Sequence, residues 1–326
     1  MKLISGLVRP FGTVTLTMLL SSMSLVALAQ QKIDESVQTS ASPNVEIEHV
    51  SGEAEIIVWD KNQVSITGTL GKNTESYEFE KLESGVRFEV DTKRYRGDWN
   101  TGHDRGDDLV IKVPAGSRVF YTAVNADVDI SGITNSTEVD LVNGDITASG
   151  LSGRTKLETV NGDIEFENVA GELMIETVNG DIEGQHTGGE RGRFITVNGD
   201  IEITTQARNL RLDSVNGDID FVTEEIEQLD IVTVNGTVNG EVTLSNKGDL
   251  SASSVGGEIS LTFQQEVAAR FELQGHAGGD IENNLTDATP SKAKYGPSQW
   301  LEFTTGDGSA RVEMSTVHGT LELNKR

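Results

Sequence analysis

The chain has 326 residues with 35 Gly, 5 Pro and no Cys, which excludes disulfides, thiolate metal sites and a Cys nucleophile. Asp and Glu total 52 against 26 Lys and Arg, and the formal charge of -26 repels phosphate backbones, so nucleic acid is excluded as a partner. Aromatic residues make up only 5%, which disfavours lectins and proteins that stack bases.

Residues 1–29 have the pattern of a secretory signal peptide. Lys2 and Arg9 form the basic region, an apolar run extends from Phe11 to Leu28, and Ala27-Leu28-Ala29 matches an A-x-A cleavage site. The alternative is an uncleaved N-terminal anchor, because the run approaches the length of a membrane span. After cleavage we expect no transmembrane segment. The sequence therefore predicts an exported protein, either periplasmic or secreted to the cell surface.

Two regions are predicted between the signal peptide and the repeats. Residues 30–43 are interpreted as a polar linker. Residues 44–112 form an N-terminal β region, opened by the alternating Val45-Glu46-Ile47-Glu48. We expect this region to cap the first coil of the repeats, since an uncapped edge invites pairing with other chains.

Residues 113–326 are dominated by a repeated V-N-G-D-I segment. It is intact five times at spacings of 18 or 19 residues, beginning at Val142, Val160, Val178, Val197 and Val215. Looser copies begin at Val124, Val234, Val255, Ala277 and Val317. Such self-similarity at a fixed period is typical of repeat architectures.

Each repeat is predicted to be one coil of a β-solenoid. A unit of this length is too short for a helix plus a strand, and the intervening sequence alternates, as in Ile164-Glu165-Phe166-Glu167. Further glycines half a unit away, at Gly153, Gly171 and Gly189, divide each coil into two straight sides. We therefore expect an all-β, β-helix-like solenoid with coils of about 18–20 residues.

Residue types predict which side chains face the interior. Asn-Gly allows a sharp corner, and the corner asparagines can bond along the stack as an amide ladder, formed by Asn143, Asn161, Asn179, Asn198 and Asn216. Hydroxyls at Thr159, Thr177, Thr196, Ser214 and Thr233 suggest a second ladder. The predicted core follows the corner at Ile146, Ile164, Ile182, Ile201 and Ile219, and precedes it at Leu157, Ile175, Phe194, Leu212 and Ile231. Between Val234 and Val238 two registers compete for the corner.

The recurring N-G-D-I turns resemble the DUF4097 family of bacterial exported, adhesin-like proteins. Leu109-Val110-Ile111-Lys112-Val113-Pro114-Ala115-Gly116 is similar to the strand and V-P-x-G turn of that family, and Val45 to Gly52 is similar to its opening strand. The resemblance covers most of residues 44–324 and implies a β-helix-like fold. The chain departs from the family pattern in two polar insertions, Arg94 to Asp108 and Asp287 to Ser298, where ligand binding would be expected in a solenoid.

An acidic column is the strongest chemical feature of the repeats, and it consists of Asp145, Asp163, Asp181, Asp200 and Asp218. Stacked carboxylates about 4.8 Å apart repel each other, so something must offset the repulsion. One interpretation is Ca²⁺ bound between the coils, since Ca²⁺ prefers oxygen ligands. The other is that the carboxylates face solvent and accept N–H bonds from the Asn-Gly turns.

Other site hypotheses lie in the first insertion. His103, Asp104, Asp107 and Asp108 could form a small metal site, but their spacing matches no metal-binding motif and favours a solvated loop instead. Arg96-Gly97-Asp98 and Arg105-Gly106-Asp107 are tripeptides of a kind that surface receptors read. The histidines show no catalytic spacing, so no catalytic residue and no cofactor is predicted.

The sequence thus favours an exported, non-enzymatic module that binds an envelope or surface ligand. The alternatives are a periplasmic structural or envelope-stress accessory and, third, a polysaccharide-acting β-helix enzyme. The ligand and the oligomeric state do not follow from the sequence.

Overall fold

The computed structural model describes residues 31–92 and 106–326, and every regular element in these two ranges is a β-strand. The strands join in one continuous hydrogen-bonded system of 23 strands. The prediction of an all-β solenoid is confirmed. The predicted signal peptide lies outside the described residues.

The central coils contain strands that stack in parallel, each on the same part of the next coil. They are β7 (Arg118–Ser131), β8 (Ser136–Asn143), β9 (Ile146–Ser149), β10 (Arg154–Asn161), β11 (Ile164–Val169), β12 (Glu172–Asn179), β13 (Ile182–Asn198), β14 (Ile201–Asn216), β15 (Ile219–Asn235) and β16 (Val238–Ser254). Leu157 lies beside Ile175, and Asn161 beside Asn179, so the sequence repeat is also the stacking register.

The core is a continuous cluster of apolar side chains buried inside the coils. Both predicted columns of apolar residues are buried, with exposed fractions of 0–1%. Alternation produces this cluster, because successive side chains of a strand point to opposite faces. The register at the ambiguous corner is also settled: Val238 pairs with Ile219 and is buried, so the corner is Val234-Asn235-Gly236.

The N-terminal strands are β1 (Lys32–Gln38), β2 (Asn44–Trp59), β3 (Gln63–Thr69), β4 (Thr74–Lys81), β5 (Gly85–Thr92) and β6 (Asp107–Pro114). β2 stacks in parallel on β7, and β5 and β6 stack on the opposite edge of β2. Antiparallel strands then cover that end: β4 pairs with β5, β3 with β6, and β1 with β3.

Two predicted boundaries differ from the structure. Residues 30–43 are not wholly a linker, because β1 pairs with β3 and buries Ile33. The polar composition hid an alternating strand. There is also no break in the stacking near residue 112, since β2 already forms a coil in register with β7 from Asn44 to Ile57.

The C-terminal strands are β17 (Ile259–Phe263), β18 (Ala269–Gly275), β19 (Asp280–Asn283), β20 (Ser291–Lys292), β21 (Gln299–Thr304), β22 (Ala310–Thr316) and β23 (Thr320–Lys325). β22 lies between β16 and β18, and β23 lies between β17 and β19. The C-terminal end of the sequence therefore does not form the far end of the stack. The coil of β22 and β23 comes last in the sequence, but in the stack it lies before the coil of β18 and β19. The order of the repeats in the sequence does not reveal this arrangement.

Candidate functional site

The corner asparagines form a continuous amide ladder on the surface. Each Nδ2 donates to the Oδ1 of the asparagine one coil earlier, over 2.8–3.1 Å, in the series Asn125, Asn143, Asn161, Asn179, Asn198, Asn216 and Asn235. A glycine follows every asparagine of the series except Asn125, which precedes Ala126, and this glycine allows the close stacking. A Cβ on Gly162 would overlap the carbonyl oxygen of Gly144 in the coil beside it.

The aspartates of the corners also form a column, and each carboxylate accepts a hydrogen bond from the backbone of the next coil. One carboxylate oxygen, Oδ1, of Asp127, Asp145, Asp163, Asp181, Asp200 and Asp218 accepts the N–H of the corresponding residue one coil later, over 2.6–2.9 Å. The last donor is Thr237. Among the described residues, no group of three or more His, Asp or Glu is placed to hold a metal ion. Calcium binding at the column stays a prediction.

The hydroxyls before each corner bond differently from a ladder. Thr159, Thr177 and Thr196 donate to the glycine carbonyls of the preceding corner over 3.1–3.2 Å. Ser214 donates to Gly217 of its own corner. Thr233 has no hydrogen-bond partner for its hydroxyl within the described ranges. The four bonded side chains are buried, so they hold the corners together from the inside.

An open groove runs along the outer face of the strands that follow the corners. We call it the acidic groove; it has a volume of about 730 Å³ and spans seven coils. Its lining includes two rows of side chains on either side of a row of mostly buried residues, first Thr147, Glu165, Glu183, Glu202, Asp220, Asn239 and Ser260, and then Ser149, Glu167, Gln185, Thr204, Val222, Glu241 and Thr262. Strand alternation directs both rows outward.

The groove is negative along most of its length. Six of its lining residues are Asp or Glu and none is Lys or Arg. Arg326 approaches Glu241 at 3.4 Å, and Asn239 donates to Asp220. For Glu165, Glu183 and Glu202, the described residues provide no ion pair or hydrogen bond. These three carboxylates are exposed and stacked in successive coils, so they attract cations.

A smaller depression of about 470 Å³ extends the negative face toward the N-terminal coils. Thr147 lines both depressions. The added acidic side chains are Glu53, Glu55, Asp108, Asp127, Asp129 and Asp145. The sequence predicted the aspartate column, but it did not predict the groove, because the groove depends on which residues lie side by side in neighbouring coils.

A buried polar network, which sequence spacing did not show, lies inside the first coil. His49 Nδ1 lies 2.8 Å from the Tyr121 hydroxyl, and His49 Nε2 lies 3.1 Å from the Asp107 carboxylate. The other Asp107 oxygen accepts from the Gly71 N–H and the Thr74 hydroxyl, both at 2.6 Å. His49, Asp107 and Tyr121 are at most 3% exposed.

Burial and hydrogen bonding act in opposite directions on this network. Burial raises the pKa of Asp107, but the contacts with His49, Thr74 and Gly71 outweigh it and hold that pKa below its ordinary value. Burial, together with the charges of Asp107 and Asp127, raises the pKa of Tyr121. The network therefore keeps a carboxylate ionised in the interior. It offers no route for substrate, because its side chains are enclosed.

The site hypotheses in the first insertion fare differently. His103, Asp104, Arg105 and the tripeptide Arg96-Gly97-Asp98 lie outside the described residues. Asp107 is 1% exposed, so it is not available to a receptor as part of Arg105-Gly106-Asp107, and that hypothesis is wrong. Asp107 also points into the buried network and away from exposed Asp108. The two therefore do not form the predicted metal site together.

Comparison with known proteins bears on the fold. The family model described as Toastrack DUF4097 matches residues 37–324. No curated protein matches the chain. Within the described residues, no helix has the length and apolar character that a membrane span requires.

Two solved structures are similar in part. One is described as a putative cell adhesion protein from Clostridium sporogenes, at 8% identity and a TM-score of 0.25, covering 91% of this chain and 100% of that one. The other is described as a putative adhesin from Bacteroides fragilis, at 12% identity and a TM-score of 0.32, covering 90% and 97%.

Proposed function

The chain belongs to the Toastrack DUF4097 family, and from this premise we propose that it is an exported, non-enzymatic, adhesin-like module that binds a cationic envelope ligand. The binding surface in this proposal is the acidic groove. The observation that carries it is the row of Glu165, Glu183 and Glu202, whose exposed carboxylates stack in successive coils with no partner in the described residues.

The shape of the groove favours an extended ligand over a compact one. Seven coils at about 4.8 Å per step give a length of roughly 30 Å. The groove is open along its side and presents similar groups at each step. A polymer with repeated positive charges can therefore make the same contact several times, and its affinity is expected to depend strongly on salt.

The test uses oligolysine as the probe and compares two variants of equal charge. The first, Glu183→Gln with Glu202→Gln, removes two groove carboxylates. The control, Glu190→Gln with Glu225→Gln, removes two exposed carboxylates outside the groove. Calorimetric titration at low salt should show several-fold weaker binding for the groove variant only. Equal losses in both variants would mean that net charge alone attracts the probe, and would refute the groove as the site.

The leading alternative is a periplasmic structural or envelope-stress accessory without an external ligand. It differs from the proposal in location, because an adhesin-like module must reach the outside. Protease added to intact host cells should digest the protein if it lies at the surface. Protection until the outer membrane is opened would rule out the adhesin reading. A polysaccharide-acting enzyme would instead release reducing ends or unsaturated sugars from envelope glycans.

Calcium at the aspartate column is a separate proposal within this function. Each column carboxylate uses Oδ1 for the backbone, so Oδ2 is the oxygen a cation would contact. The melting temperature should rise in millimolar Ca²⁺ relative to EDTA if the ion binds between coils. Equal melting temperatures would end the calcium hypothesis and leave the N–H bonds to offset the repulsion alone.

A further inference from the structure

Seven Asn-Gly dipeptides occur in the chain, and the structure gives them different surroundings. They begin at Asn143, Asn161, Asn179, Asn198, Asn216, Asn235 and Asn239. Asn followed by Gly is chemically labile in a flexible chain, because Gly has no side chain to hinder attack by its own backbone nitrogen. The surroundings therefore decide which of the seven reacts.

The reaction is deamidation, and water is its only co-reactant. The Gly nitrogen loses its proton and bonds to the side-chain Cγ of Asn. The bond from Cγ to the amide nitrogen breaks, and ammonia leaves with the proton, so that a five-membered succinimide remains. Water then opens the ring at either carbonyl and gives aspartate or isoaspartate. Both the Gly N–H and the Asn amide must be free to move.

Within the ladder neither group is free. Asn179 donates to Asn161 and accepts from Asn198, while the Gly180 N–H donates to the backbone oxygen of Asn198 over 3.1 Å. The same three bonds hold the other interior positions. The amide that would leave and the nitrogen that would attack are thus both restrained by the neighbouring coils.

Asn235 is the last asparagine of the ladder, because the next coil has Gly256 at that position. Asn235 still donates to Asn216 over 3.1 Å. Its Oδ1 accepts no hydrogen bond, and the Gly236 N–H donates none, within the part of the chain that the structure describes. Asn235 is exposed, so water can reach it.

Asn239 supplies a contrast a few residues away. It lies inside β16, where Gly240 pairs with Phe221 on one side and Leu261 on the other. Its Nδ2 donates to Asp220 over 2.9 Å. The dipeptide is therefore fixed in an extended strand on both sides.

We propose that Asn235 is a site of spontaneous deamidation by water, and that the ladder protects the asparagines below it. Conversion adds a negative charge and removes the donor to Asn216. Asn216 then becomes the exposed end of the ladder. The Gly217 N–H still donates to the backbone oxygen of an aspartate at position 235, so Asn216 stays restrained and reacts only after Asn235. This inference rests on the ladder alone and is independent of the ligand proposed for the groove.

One tryptic peptide contains the decisive comparison. No Lys or Arg lies between Arg211 and Lys247, so residues 212–247 carry Asn216, Asn235 and Asn239 together. The purified full chain is incubated folded at mildly alkaline pH and, in parallel, in denaturant. Fragment mass spectra then locate the conversion. We expect Asn235 to react several-fold faster than the other two in the folded chain, and all three at comparable rates in denaturant.

A designed extension of the ladder gives the sharper test. A Cβ added at Gly256 would lie 3.5 Å from Asn235 Oδ1, which is ordinary contact distance. Gly256→Asn should place an amide donor over Asn235 and slow its deamidation several-fold, whereas Gly256→Ala adds bulk without a donor and should leave the rate near that of the parent. Equal rates in the two variants would overturn the proposal. So would conversion of Asn216 or Asn239 as fast as Asn235 in the folded parent.

Discussion

The central coils and the first coil hold neighbouring strands together by different means. In the central coils, the corners repeat the same two exposed hydrogen bonds. One joins the side-chain amides of two asparagines, and the other joins a backbone N–H to an aspartate carboxylate. In the first coil, a single buried network joins His49 on β2, Asp107 on β6 and Tyr121 on β7. Many weak hydrogen bonds therefore stabilise the central coils, whereas a few buried side chains stabilise the first coil.

The difference follows from what lies next to each region. A central coil has a similar coil on both sides, so one pattern satisfies it repeatedly. The first coil meets antiparallel strands, and its corner residues cannot be copies of a neighbour. Asp107 therefore replaces the repeated contacts by also fixing Gly71 and Thr74, which begin the β4 hairpin. The cap is held by a specific network, and the stack is held by repetition.

The largest effect is expected at Asp107. Asp107→Ala removes the buried carboxylate, so that Gly71 and Thr74 lose their hydrogen-bond acceptor and His49 Nε2 loses the carboxylate oxygen 3.1 Å away. The loss in free energy of unfolding should be about 3–5 kcal/mol. Urea unfolding measures it. Asp108→Ala is the matched control, because Asp108 is exposed and adjacent, and it should change the free energy by less than about 0.5 kcal/mol.

This network also marks the limit of sequence reasoning. The corners, the asparagine ladder residues and the aliphatic core were readable, because a repeat places equivalent residues on top of each other. His49, Asp107 and Tyr121 are 72 residues apart at their widest contact and belong to no repeat. Only the unique pairing of β2 with β6 and β7 brings them together. No spacing rule could have found them.

The groove and the C-terminal coil were missed for related reasons. Glu165, Glu183 and Glu202 lie side by side in successive coils, but the depth of the groove depends on the packing of whole strands. The insertion of β22 and β23 between earlier coils breaks the rule that consecutive repeats are neighbours. A repeat predicts that each coil stacks on a neighbouring coil. The order of the sequence identifies that neighbour only where consecutive coils stack in chain order.

An intermediate effect is expected for the ladder. Asn179→Ala removes two exposed side-chain hydrogen bonds, one to each neighbour. The free energy of unfolding should fall by about 1–2 kcal/mol, since each neutral bond contributes about 0.5–1.5 kcal/mol. Asn235→Ala is the control inside the same ladder, because it removes one bond, and its loss should be about half as large. If both variants lose as much as Asp107→Ala, the contrast between spread and concentrated stability is wrong.

The smallest expected effect is a pH dependence of stability that differs between the central coils and the first coil. His186 in the central coils is 1% exposed, and its Nε2–H donates to the Gly171 carbonyl over 2.9 Å while Nδ1 accepts from the Thr205 hydroxyl over 3.0 Å. Burial lowers the pKa of His186 below its ordinary value, and the bond to Gly171 only partly opposes this. The folded imidazole therefore takes up a proton less readily than the unfolded one.

As the pH falls, the His186 imidazole of the unfolded chain is protonated before that of the folded chain. The stabilisation from neutral His186 is therefore complete above the unfolded pKa of about 6.5 and declines as the pH falls below it. Asp107 acts in a lower window: its depressed pKa stabilises the fold above the ordinary carboxyl value of 3.8, and that stability is lost as the pH falls through the folded pKa. Urea midpoints between pH values of about 7.5 and 5.5 should thus decline less for His186→Gln than for the parent. If the urea midpoint of His186→Gln declines with falling pH as much as that of the parent, groups other than His186 cause the acid sensitivity.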